Sequence, residues 1–154
     1  MPQNLPENVV AASKRAECVE AVERLYRDLQ AEIDARRPLC AISGRCCKFD
    51  EYGHRLYVTT IELAAFISRL GAAKIPEPSN PGSCPFQSNK VCGVHTIRPF
   101  GCRMFFCDPT ATDWQQAAYE RYHAKLKSLH EELGVPYAYM EWRQALRALS
   151  APET

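Results

Sequence analysis

The stretch ENVVAASKRAECVEAVERLYRDLQAEIDARR, Glu7–Arg37, decides the fold class. Val19, Val22, Tyr26, Leu29 and Ile33 recur in it at alternating spacings of three and four, which gathers them on one side of a helix. The spacing predicts one long helix over 7–37, closed by Pro38, which has no N–H to continue the ladder. Cys18 lies at the edge of the stripe and reads as a small buried hydrophobe rather than a ligand.

Outward from this helix, order and disorder of pattern alternate. Residues 39–57 have no period; Gly44, Gly53 and three cysteines, Cys40, Cys46 and Cys47, make them an irregular loop. Thr59 followed by Glu62 is a capping-box pattern, predicting a helix over 59–71 (Thr60 to Leu70) with broad apolar coverage from Ile61, Ala64, Ala65, Phe66 and Ile67, and Gly71 as its stop. Pro76, Pro78, Pro81 and Gly82 then lead into a second irregular cysteine segment, 84–107, with Cys84, Cys92, Cys102 and Cys107. From Asp113 the period returns. Tyr122, Leu126, Leu129 and Leu133 form a stripe closed by Gly134 and Pro136, and Tyr139, Trp142, Leu146 and Leu149 mark a last helix from Tyr139, giving C-terminal helices over 113–149. The reading is a mainly α, single small helical domain, 1–154, built around two irregular Cys-rich metal-binding loops.

Composition argues about what the thiols are for. A chain of 154 residues that is 46% hydrophobic and 24% charged has material for a core and does not need bridges to fold. Met1–Asn8 lacks a basic region followed by an apolar run, and no apolar stretch is long enough to span a bilayer. The expected setting is therefore cytoplasmic and soluble, where persistent disulfides are rare and clustered thiols serve as ligands or catalysts. A formal net charge of +1 supplies no general attraction for nucleic acid or anionic membranes, so neither is expected as a partner.

Gathered thiolates repel, each charge raising the pKa of the next, and a bound metal removes that conflict. Structural zinc usually takes Cys-x2-Cys knuckles, and this chain has none. Cys92-Gly93-Val94-His95 is the nearest approach, and His54 in the first loop is a weaker candidate. Adjacent Cys46 and Cys47 point apart in extended chain and do not close readily on one small ion. They suggest two metal positions or a polynuclear cluster; an iron–sulfur cluster is larger and tolerates irregular spacing and a Cys-Pro such as Cys84-Pro85, so a four-iron cluster is the expectation, with zinc the alternative. Arg45, Arg98 and Arg103 lie near these cysteines in sequence, where their charge would offset that of a thiolate-bound cluster.

Cys84-Pro85-Phe86 followed by Cys92, then Arg98-Pro99-Phe100-Gly101-Cys102-Arg103-Met104-Phe105-Phe106-Cys107, with a Cys-Cys pair upstream, resembles the CxxCxxCC-type cysteine-cluster family, described as a zinc- or iron-chelating domain. The resemblance covers Leu39 to Cys107. It implies a metal-binding module in which Cys40, Cys46, Cys47, Cys84, Cys92, Cys102 and Cys107 match the family's cysteine positions, and it implies no particular reaction. One position departs: the family's first motif often has a further cysteine where this chain has Ser43. Were the first loop to hold a four-iron cluster alone, one iron would lack a protein ligand and stand open to substrate. The plainer expectation is a site shared by both loops, which also explains how the loops are held. Three functions follow: a metal-binding, expectedly iron–sulfur, protein for electron transfer, metal handling or a redox-dependent interaction with a protein partner; a metal-dependent enzyme open near Ser43, with His54 and His95 as polar groups; and a zinc-stapled interaction module.

Overall fold

The computed structural model describes residues 4–36, 56–70, 84–88, 91–92, 97–104 and 109–150, and they are mainly helical, as the stripes require. In chain order the elements are α1 (Leu5–Ser13), α2 (Ala16–Arg36), β1 (Tyr57–Thr59), α3 (Thr60–Leu70), β2 (Gln87–Ser88), β3 (Val91–Cys92), α4 (Phe100–Arg103), a 3-10 turn at Pro109–Ala111, α5 (Thr112–Leu133), β4 (Tyr139–Glu141) and α6 (Trp142–Ser150).

The single helix expected over 7–37 is two. Helix α1 starts earlier, with Pro6 in its first turn, and the ladder breaks after Ser13, where Lys14 N and Arg15 N donate to Ala11 O and Ala12 O, three residues back. Packing explains the break. An uninterrupted helix from Leu5 to Arg36 would run roughly 45–50 Å past the rest of the chain. The turn instead lets α1 and α2 both pack on α3 while serving different parts of the core. Val19, Val22, Leu25, Tyr26 and Leu29 of α2 join Ile61, Ala64, Tyr122 and Leu126 in one apolar cluster; Leu5 and Val9 of α1 join Leu63, Phe66, Met140, Trp142 and Leu146 in another.

Helix α3 separates the clusters, and every residue from Thr60 to Phe66 is buried. Half of the expected capping box forms: Glu62 Oε2 reaches back to accept from Thr59 N, and it accepts from Thr59 Oγ1 as well, at 3.0 Å each. Two further amides of this helix start are satisfied from far away. Thr60 N donates to Ala138 O, and Ile61 N donates to His130 Nε2 of α5 at 3.1 Å.

Two short antiparallel pairs were not foreseen, since strands of two or three residues are too brief to show a period. β1 pairs with β4, with Val58 opposite Met140, so Tyr139 begins a strand and the last helix starts at Trp142. Tyr57 and Tyr139, diagonal across this pair, stack with ring centroids 5.2 Å apart. Glu141 then caps α6, its carboxylate accepting from Arg143 N and Gln144 N. β2 pairs with β3 inside the second cysteine segment, setting Gln87 opposite Cys92. Helix α5 ends where Gly134 was expected to stop it: Gly134 adopts φ +68, and Val135 N donates back to His130 O.

Candidate metal centre

Of the seven expected ligands, Cys84 and Cys102 have described side chains, and both are buried in the cluster that holds Leu63, Phe66 and Trp142. Two positions 18 apart within the second cysteine segment thus deliver two thiols into one apolar environment. The Trp142 indole N–H donates to Cys84 Sγ at 3.3 Å, so the sulfur acts as acceptor. Trp142 is itself fixed by edge-on packing with Phe66 at 5.0 Å and by its backbone N–H, which donates to Leu56 O. The backbone of Cys92 lies in β3, opposite Gln87 and so three residues along from Cys84. Cys40, Cys46, Cys47 and Cys107 lie outside the described residues, as do Ser43, Arg45, His54 and His95. Among the described residues no three His, Cys, Asp or Glu side chains converge into a metal-holding group.

Cys102 sits in α4, a single turn whose position is fixed by a carboxylate. Glu62 Oε1 accepts from Phe100 N at 2.8 Å and from the Tyr26 hydroxyl at 3.0 Å, while Oε2 holds the capping box. One buried side chain therefore ties the start of α3, the middle of α2 and the turn carrying Cys102. Burial pushes the Glu62 carboxyl above its ordinary range, and the four donors oppose that shift by favouring the charged form. Burial likewise pushes the Tyr26 phenol well up, so it stays a donor. A methyl at Gly101 would collide with Leu56 Cδ1, so the Leu56 side chain would have to shift to admit one.

The arginines flanking Cys102 divide. Arg103 Nε donates to Arg98 O at 2.8 Å, and its guanidinium lies 4.3 Å from the Tyr26 ring centroid. Burial lowers its pKa, and the negative form of Cys102 is among the groups that favour its charge. Arg98 is half-buried, with Nε lacking a hydrogen-bond partner among the described residues. Cys18 behaves as the small hydrophobe expected: it is buried in the α2 cluster, and burial pushes its thiol up.

His130 carries no motif and went unnoticed in the sequence, although it falls four residues after Leu126 on the apolar side of α5. Its Nδ1 lies 2.7 Å from Leu126 O and its Nε2 accepts from Ile61 N, an arrangement that fixes a neutral ring protonated at Nδ1. Burial lowers its pKa. It is a structural cap rather than a ligand.

Compared with models of protein families, with curated proteins and with solved structures, the chain matches none. No helix among the described residues is long and apolar enough to cross a membrane.

Proposed function

We propose that this chain is a metal-binding cysteine-cluster protein, taking an iron–sulfur cluster, with four irons preferred and zinc as the alternative, and serving electron transfer, metal handling or a redox-dependent interaction. The observation that carries the reading is the delivery of Cys84 and Cys102, 18 positions apart in the second cysteine segment, into one apolar cluster where an indole N–H is already aimed at the Cys84 sulfur.

The donor set fits such a group. A thiolate in apolar surroundings is costly alone and inexpensive when shared with a cation. An N–H···S bond favours the sulfur's negative form and, in iron–sulfur sites, helps set the reduction potential. Cys84 and Cys102 would be joined by Cys40, Cys46, Cys47, Cys92 and Cys107, the other cysteines of the motif. When bound, a cluster supplies one-electron chemistry. The protein's part is to exclude water with Leu63, Phe66 and Trp142, to hold α4 through Glu62, and to place the cationic Arg98 and Arg103 on either side of Cys102 in the chain.

The test is anaerobic purification followed by elemental analysis and visible absorption. Iron with sulfide and a broad band near about 400 nm is the expected result; a colourless protein with stoichiometric zinc would replace the cluster with the alternative. Cys84→Ser, Cys102→Ser and Cys46→Ser are each expected to lose metal and to loosen the centre of the fold. Unchanged metal content in all three would end the shared-site reading.

A further inference from the structure

A cavity of about 320 Å³ opens between α2 and the C-terminal half of α3, on the side of α4 where Arg103 emerges. Arg27, Arg69 and Arg103 line it, against one carboxylate among the described residues, Glu23. That carboxylate is already engaged: Arg69 Nε and Nη2 hold its two oxygens at 2.6 Å each. Among the described residues the lining therefore carries three guanidinium groups and one carboxylate, in a chain whose formal net charge is only +1. Arg103 is set in place by the Tyr26 ring beneath it and by the carbonyl of Arg98. The Gln30 amide adds a polar group at the mouth, and its N–H is turned to Asp34 Oδ1. The remaining wall, Phe66 with Ile97, is apolar.

We infer that this cavity binds a small organic anion, a phosphate or carboxylate head on an apolar body. The chemistry of each wall is the reason. Guanidinium groups present paired N–H donors that match the oxygens of phosphate and carboxylate alike, and a partly enclosed cluster of them focuses field on one spot. The apolar wall gives nothing to a bare inorganic ion and rewards a ligand that covers it. The volume, about 320 Å³, lies at the small end of the range for small-molecule sites and suits a monocyclic or short-chain body. Among the described residues no cysteine lines the cavity, and it shares Arg103 and Phe66 with the metal proposal.

Isothermal titration at low ionic strength with phenyl phosphate, benzoate, inorganic phosphate and phenol tests it, on protein as purified with metal content measured in the same sample. Phenyl phosphate or benzoate is expected to bind roughly tenfold more tightly than inorganic phosphate, with phenol silent; the stronger of the two names the head group. Arg27→Gln, on an exposed position of α2 that need not disturb packing, is expected to weaken that binding roughly tenfold, whereas Arg24→Gln on the same helix, outside the cavity, leaves it unchanged. Circular dichroism of each variant checks that the helices persist. Absence of binding by both organic anions up to about 10 mM would overturn the inference, as would equal affinity for inorganic phosphate or full binding by Arg27→Gln. Metal content is expected to be the same in all these variants, which keeps a failure here separate from a failure of the metal reading.

Discussion

Replacing Glu62 by alanine removes the acceptor shared by four donors: Tyr26 Oη, Phe100 N, Thr59 N and Thr59 Oγ1. Leaving the Phe100 amide and the Tyr26 hydroxyl buried without a partner costs about 2 kcal/mol each, and loss of the capping box adds about 1 kcal/mol. Against that roughly 5 kcal/mol stands relief of a carboxylate that burial disfavours, and entry of water into the vacated space, so a net loss of about 3 kcal/mol is expected. Urea unfolding followed by circular dichroism reads it directly. With a slope of about 2 kcal/mol per molar, the midpoint falls by roughly 1.5 M. Glu62→Gln keeps one acceptor oxygen but turns an amide toward the other donors, and is expected to lose about half as much. Because Glu62 holds the turn that carries Cys102, the alanine variant is also expected to retain less metal. A midpoint within about 0.3 M of the parent, with unchanged slope, would refute the idea that this carboxylate joins α2, α3 and α4 energetically.

Three further outcomes are expected. His130 is held neutral, its folded pKa below the unfolded value, so the unfolded chain takes up the proton first; stability is fully present above the unfolded pKa near 6.5 and is lost as pH falls through that window. Urea midpoints from pH 7.5 down to 5 are expected to fall less steeply in His130→Gln than in the parent, and parallel slopes would contradict this. Trp142→Phe keeps the ring and removes the donor to Cys84 Sγ; about 1 kcal/mol of stability is expected to go, and a bound iron–sulfur cluster is expected to show a lower reduction potential by voltammetry. Gly134→Ala forces a side chain into φ +68 with open space around it, so the loss of about 1 kcal/mol seen by thermal unfolding is a backbone cost rather than a clash.

Part of the candidate site's surroundings left a mark in the sequence and part did not. The seven cysteines stand out by spacing alone, and two of them, Cys84 and Cys102, share one buried cluster. What the sequence gives no hint of is the support: an indole on Cys84 from 58 residues away, and a carboxylate reaching the Phe100 amide from 38 residues away. Glu62 was visible as a capping residue because Thr59 is three positions before it, but its second oxygen serves partners that no local pattern records.

Local chemistry by itself determined the helical class of this protein. Val19, Val22, Tyr26 and Leu29 of α2 and Tyr122 and Leu126 of α5 are buried where their spacing placed them, because a helix converts a period of 3.6 into one face whatever surrounds it. Gly134 and the Thr59–Glu62 box ended and began helices for equally local reasons, a left-handed backbone and a side chain that reaches its own amides. Only the tertiary structure decided the break between α1 and α2, the pairing of β1 with β4, the neutral His130 under the start of α3, and the burial of Cys84 and Cys102 in one apolar cluster. Each of these joins groups distant in sequence or answers to the shape of what they pack against. Such contacts form when packing repays the entropy of closing the intervening chain, a balance that depends on every element at once and leaves no period in any one of them.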